Sequence, residues 1–390
     1  MNNSSHVKTT GQHKSEKSSP ASSASSSAPN ALRLGLLHSL TGTLAIAEMA
    51  LVDAAMLAIN EINSKGGILG QRIEPIIEDG ASNWATFAEK ARKLLVEDNV
   101  AAVIGCNTSA SRKAVLPVFH EHHGLLYYSQ YYEGQEKDPS VFYTSQEATQ
   151  SVIAATRWMV QQDGKTFYLV GSDYIYPRVC NTLAASTIQK NGAKVIGEAY
   201  VPLGENDFSA VVADIKRLKP DWIYSTVVGD SNIAFYKQLR AAGLDGYHQK
   251  LLTTVVQENE IESIGADNAV GYFSCAGYFQ SIDSAVNARF VSAFKQAYGQ
   301  HRVIGDPMQC SYNSVYLWKM AVEKANSTDI NKIIAASAGL ELEAPEGWIR
   351  IHPTNRHVSK RIRIGRVRED GQFDIQYESD VIDPNPFPKL

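Results

Sequence analysis

The chain has 390 residues, a formal net charge of −4, 44% hydrophobic and 20% charged residues. That length fits about two domains rather than one core. Charges of both signs are spread along the chain with no basic stripe, which argues against a nucleic-acid footprint, and no run of about 18 apolar residues offers a transmembrane helix.

Residues 1–31 open on "MNNSSHVKTTGQHKSEKSSPASSASSSAPN", which is Ser-rich and nearly free of large apolar side chains. Such a segment cannot bury enough surface to offset its ordering entropy, so a disordered tether is expected there. It lacks the apolar core, roughly 7–15 residues long, of a secretory signal. On this reading the membrane enters only through an anchor outside this chain.

From Leu32 strands and helices alternate. "LRLGLLH" reads as a buried strand and "EMALVDAAMLAINEINSKGG" as an amphipathic helix stopped by Gly. "RIEPIIED" is the next strand. "NWATFAEKARKLLVED" places Asn83 as the N-cap of a helix. "VAAVIG", "SASRKAVLPVFHEH" and "GLLYYS" continue as strand, helix and strand. The order is that of a parallel sheet covered on both faces.

The pattern restarts at "ATQSVIAATRWMVQQ", a helix, and "TFYLVGS", a strand. "YPRVCNTLAASTIQKNG", "FSAVVADIKRLKP" and "SNIAFYKQLRAAG" are helices between the strands "KVIGEAYVP", "DWIYSTVVG" and "KLLTTVV". Two long helical stretches follow "VGYFSCAGYF", and "WIRIHP", "KRIRIGRVRED" and "FDIQYESD" alternate like antiparallel strands. The fold class is therefore α/β, with two doubly wound parallel-sheet lobes and a mixed C-terminal region that crosses between them.

Ligands of open α/β sheets sit outside the carboxyl ends of the strands, and between two lobes the cleft is the default site. The strand-end loops "GCNTSAS", "YYSQYYEG", "GSDYIYPR", "VVGDSN" and "TTVVQEN" are rich in Ser, Thr, Tyr and Asn and poor in acid–base pairs. That lining suits a small neutral polar solute, held by fixed hydrogen bonds and an aromatic face. Thr108 and Ser109 open a helix, where an acceptor oxygen is favoured. Ser109 is either a ligand donor or the N-cap of that helix, and both roles are compatible. Tyr174 either stacks on a flat ligand or is structural. Asp230 either caps the next helix or accepts from a ligand N–H.

Catalytic signatures are mostly missing: there is no GxSxG elbow, no phosphate loop and no GxGxxG after a strand. His120 and His123 share a helix face and either bind a metal or sit on a solvated helix end that suits their charge. Cys106, Cys180, Cys275 and Cys310 are scattered with no CxxC pair. They read as small buried hydrophobes.

The stretches "GILGQRIEPIIEDGASN", "IGCNTSASRKAVLPVF", "YYEGQE", "VGSDYIYPR" and "EGWIRIHPTNRHVSKRIRIGRVREDGQFDI" resemble the leucine-binding type of periplasmic solute-binding protein (type I fold). Within it, they resemble the urea and short-chain amide-binding branch. The resemblance runs from Leu32 onward. It implies two lobes joined by three crossovers, with residues 32–146 plus 275–345 in one lobe and 147–274 plus 346–390 in the other. It maps the ligand-binding serine onto Ser109, the strand-end tyrosine onto Tyr128 and the cleft tyrosine onto Tyr174. Gly229, Asp230 and Thr254 come from the following loops, and Asn107, Thr108 and Gln130 complete the candidate set. Asn107 stands where the branch carries an aromatic residue and Ser129 where it carries Pro, changes that bear on ligand identity rather than fold.

The implied function is binding urea or a short aliphatic amide and delivering it to the membrane subunits of an ABC importer, from the periplasm or a membrane tether. The alternative is a cytoplasmic amide sensor that regulates amidase expression through a partner protein. No cofactor, metal or enzymatic role is implied.

Overall fold

The computed structural model describes residues 31–388. The expected tether lies, apart from Ala31, outside the described residues. The first lobe begins with β1 (Leu32–His38), α1 (Ala45–Ser64), β2 (Ile73–Asp79), α2 (Trp84–Arg92), β3 (Ala102–Gly105), α3 (Ser109–Glu121), β4 (Leu126–Tyr128) and β5 (Val141–Tyr143). Its strands form one parallel sheet in the order β2-β1-β3-β4-β5. Side chains alternate across it, as a strand requires. Ala102, Ile104 and Tyr127 enter the core that contains Trp318. Val103, Leu126 and Tyr128 enter the opposite core, with Phe87 and Phe119. Asn83 caps α2, its Oδ1 accepting from Ala85 N at 3.0 Å and Thr86 N at 3.1 Å.

The second lobe runs through α4 (Ala148–Gln161), β6 (Thr166–Ser172), α5 (Ile175–Lys190), β7 (Lys194–Val201), α6 (Ser209–Leu218), β8 (Trp222–Thr226), α7 (Ser231–Ala241), β9 (Lys250–Thr253), α8 (Glu258–Ile264), α9 (Ala266–Ala269) and β10 (Phe273–Ala276). The chain then returns with α10 (Ala285–Tyr298), α11 (Asp306–Ala325), α12 (Ile330–Ser337), β11 (Glu341–Ala344), β12 (Gly347–Ile351) and β13 (Val358–Ser359), and ends with β14 (Arg363–Val367) and β15 (Phe373–Glu378). The second sheet is ordered β15-β14-β10-β9-β8-β6-β7, with β14 and β15 antiparallel as their alternation predicts.

Three short segments join the lobes: residues 144–147 after β5, 277–284 after β10, and 360–362 before β14. Ile349, Ile351 and Val358 belong to the first lobe's core, so we place the third crossing after Ser359 rather than at residue 346. The crossings are tied by buried polar groups. Lys360 Nζ lies 3.0 Å from Glu346 Oε1, both side chains almost wholly buried. Gln146 Nε2 donates to Asp306 Oδ2 at 2.6 Å. A Cβ on Gly277 would stand 3.1 Å from Gln146 Oε1 and 3.2 Å from Lys360 Nζ, so the second crossing passes close against polar side chains of the other two.

All four cysteines are free and buried. The strands β5 and β13 and the helix α9, none of them read from the sequence, have two to four residues each.

Candidate functional site

The carboxyl ends of β3 and β4 bring the opening motif to the edge of the first sheet. Cys106 turns the chain with a φ of 64°. Thr108 is then the N-cap of α3: its Oγ1 accepts from Ser111 N at 3.0 Å, and Ser111 Oγ accepts from Thr108 N at 3.2 Å. The capping role therefore belongs to Thr108 and not to Ser109. Ser109 is free to do something else, and its Oγ donates to Glu133 Oε2 at 2.6 Å.

Glu133 was not among the expected site residues, although it lies in "YYEGQE". It is 4% exposed, and an acid so deep needs partners. Ser109 is one. The other is Arg112, whose guanidinium stands 4.0 Å from Glu133 Oε1. Arg112 is itself fully buried, over the rings of Tyr128 and Tyr132 at 4.5 and 4.6 Å from their centroids. Its Nε donates to Glu136 Oε1 at 2.7 Å. Burial would raise the Glu136 carboxyl, but Arg112, Tyr143 and Lys113 hold it down to about 2. The Arg112 charge is thus mainly met by Glu136, which leaves Glu133 as the acid beside Ser109.

Tyr128 is buried, and its hydroxyl donates to Asn107 O at 2.9 Å. Asn107 therefore contributes its backbone to fixing this corner. Behind it, Tyr143 stacks on His357 with ring centroids 4.1 Å apart, and Tyr132 Oη lies 2.5 Å from His357 Nε2. His357 Nδ1 faces Asn355 O at 2.7 Å. A carbonyl only accepts, so Nδ1 carries the proton and Nε2 accepts from Tyr132. Burial pulls the imidazole down to about 4 and keeps it neutral.

The second lobe meets this corner through tyrosines. Tyr131, on the loop after β4, has its ring 5.8 Å from Tyr176 at the start of α5, and its hydroxyl reaches Val255 O at 3.5 Å. Tyr174 precedes α5 with its ring 6.4 Å from Tyr176 and makes no capping hydrogen bond. Burial pushes the Tyr174 hydroxyl up, with Cys180, Tyr128 and Glu133 adding to the effect. Thr254 is buried, its Oγ1 at 3.4 Å from the hydroxyls of both Tyr176 and Tyr224.

Asn107, Ser109 and Tyr128 thus share one corner of the first lobe, while Tyr174 and Thr254 both lie beside Tyr176 in the second. Gln130 sits at the end of β4 with its Oε1 buried and unpartnered among the described residues. Gly229 and Asp230 are exposed. Asp230 occupies the N-cap of α7 with helical backbone angles and no side-chain cap, so the capping alternative is not realised. His120 Nε2 pairs with Asp138 at 2.8 Å, and His123 ends its helix in the left-handed region at φ 51°.

The family profile described as a periplasmic binding protein domain matches residues 32–390. The chain belongs to that family. It is a type I, leucine/isoleucine/valine-binding-like member of the kind that serves ABC transporters. A Leu/Ile/Val-binding protein homolog of Brucella suis is 24% identical over 291 residues, 73% of this chain and 74% of that one. A solute-binding protein of an ABC transporter from Rhodopseudomonas palustris, solved with 3,4-dihydroxybenzoic acid, has a TM-score of 0.83 at 25% identity, covering 91% of this chain and 98% of that one. An ABC transporter substrate-binding protein from Sphaerobacter thermophilus has the same TM-score at 20% identity, over 91% of this chain and all of that one. A limonene hydroxylase of Geobacillus stearothermophilus is 38% identical over 117 residues, but this chain spans only 21% of its length. No helix among the described residues is long and apolar enough to cross a membrane.

Proposed function

We propose that this binding protein takes urea or a short aliphatic amide and delivers it, by closure of the lobes, to the membrane subunits of an ABC-type importer. It would act in the periplasm or on a membrane tether, and it performs no chemistry on its solute. The observation that carries the reading is the buried Glu133 carboxylate held by Ser109 in the cleft. A carboxylate only accepts hydrogen bonds, so it selects a solute that presents N–H groups. Tyr174 would cover the flat face of such a solute. Closure would be driven by tighter binding to the closed arrangement, in which Tyr131 already reaches from one lobe to the other.

A second reading is an aromatic acid. It is favoured by the tyrosine-rich cleft and by Arg112 Nη2, which is buried with no hydrogen bond among the described residues and only the 4.0 Å ion contact to Glu133. Against it, a second carboxylate would meet Glu133 in a site of low dielectric, where like charges repel strongly.

A thermal-shift panel separates these readings, because a ligand that binds the native state raises the unfolding midpoint by mass action. The amide reading expects shifts with urea or acetamide and none with leucine or 4-hydroxybenzoate. A shift with 4-hydroxybenzoate alone would replace it by the aromatic-acid reading.

A further inference from the structure

We propose that Glu258 is a proton-operated latch between the lobes: it keeps its proton while they are closed and gives it up as they open, so closure and solute affinity weaken as the pH rises. The proposal rests on the reading that the lobes close on a solute, and not on which solute that is.

The lobes meet at the start of α8. Residues 304–306, which lead into α11 of the first lobe, lie against residues 257–259 of the second. Asp306 N donates to Gln257 Oε1 at 2.9 Å. A Cβ on Gly305 would stand 2.2 Å from Asn259 Oδ1 and 3.3 Å from Gln257 Oε1, so the two segments are in close contact. Ile304 N donates to Gln280 Oε1 at 2.9 Å, and Gln280 N donates to Glu258 Oε1 at 2.7 Å. Gln280 belongs to the second crossing, so Glu258 is tied to the first lobe through the hinge itself.

Glu258 is 1% exposed, and its Oε2 has no hydrogen-bond partner among the described residues. A buried carboxylate with one hydrogen bond is costly to ionise unless a cation stands beside it. The neighbouring groups are acids instead. Glu260 on α8 and Asp306 on α11 both oppose its ionisation. Tyr278, on the second crossing, has its hydroxyl pushed up by burial and further by Glu258 and Asp306. The cations of the region are engaged elsewhere. Arg302 pairs with Asp53 at 3.0 Å and, like His301, acts on Glu262 further along α8. Lys360 pairs with Glu346 at 3.0 Å.

Burial pushes the Glu258 carboxyl up to about 8; the Gln280 bond opposes this, and the charges of Glu260 and Asp306 add to it. Parting the lobes takes residues 304–306 off this turn and admits water, which returns the carboxyl toward its ordinary 4.5. Between those values the closed form binds the extra proton. The proton's support of closure is therefore complete below about pH 4.5 and is lost as the pH rises to about 8.

Small-angle scattering of the full chain without solute, at pH 6 and pH 9, reads the lobes directly. The radius of gyration should rise between the two in the unaltered chain and stay at its pH 6 value in E258Q. Like behaviour of the two proteins, whether both change or neither does, would overturn the proposal. Should E258Q not fold, E258L makes the same comparison with a neutral side chain. Calorimetric titration with acetamide should show binding roughly tenfold or more weaker at pH 9 than at pH 6, with that loss absent in E258Q; a loss that persists in E258Q would also overturn the latch. No acetamide binding at either pH would remove the amide reading, while scattering still decides the latch.

Discussion

Ser109 and Thr108 show how two adjacent hydroxyls divide their work. Thr108 satisfies the helix, so Ser109 contributes little to holding α3 together. S109A should therefore weaken solute binding by about 1–3 kcal/mol, the cost of a hydrogen bond left unmade, and lose a comparable amount of stability because Glu133 is left short of a buried partner. T108A should lose about 1 kcal/mol of stability and leave solute binding unchanged. Circular-dichroism melts and calorimetric titration of both variants check this; equal effects on binding would remove the division. His357 carries a second prediction. It stays neutral in the fold down to about pH 4, whereas the unfolded imidazole takes up a proton near its ordinary value of 6.5. The unfolded chain therefore binds the extra proton between those values. Its contribution is complete above about pH 6.5 and is lost as pH falls toward 4, by up to about 3 kcal/mol. Guanidinium unfolding at pH 7 and pH 4.5 should show a smaller pH loss in H357Q than in the unaltered chain; identical losses would exclude His357.

At the scale of elements, the C-terminal strap after β15 holds the loop that carries Glu133. Pro386 O accepts from Gln135 N at 2.7 Å, and Pro384 O accepts from Asn355 Nδ2 at 3.1 Å. A Cβ on Gly134 would come within 3.1 Å of Pro386 O. Ending the chain after Asp383 should leave both cores intact and lower the melting midpoint by a few degrees, yet weaken acetamide binding about tenfold through loss of the loop's position. Unchanged affinity would show that the loop holds itself. Elements with a clear period were legible in the sequence: β1, α1, β6 and α5 follow their hydrophobic patterns. β5 and α9 were not, because three or four residues are too few to show a period. The places of Ser109 after β3, Tyr128 at the end of β4 and Tyr174 after β6 were legible through the strand-end rule, while their part in binding rests on the resemblance. Glu133 was not, because an acid in a polar loop is usually solvated, and only the packing of Arg112 and Tyr132 around it shows otherwise. Its position between two tyrosines and Gly134 was the one available signal.

At the scale of the whole molecule, closure depends on a joint that bends without coming apart. The Lys360–Glu346 pair and the Gln146–Asp306 bond lie where the three crossings run side by side. Removing one partner of a buried pair leaves an uncompensated charge, so K360M should cost about 3–5 kcal/mol. The double variant K360M/E346L should recover most of that loss, and guanidinium unfolding of both would check it. A double variant as unstable as K360M would mean that the network around the pair matters more than the pair itself.

The claim on which the functional account turns is that Glu133 accepts an N–H from the solute. Calorimetric titration with acetamide and with N,N-dimethylacetamide tests it most directly, since both keep the carbonyl and only one has an N–H to give. The account predicts that acetamide binds and that the dimethylated form binds at least tenfold more weakly, with the difference shrinking in E133Q. Equal binding of the two would contradict it.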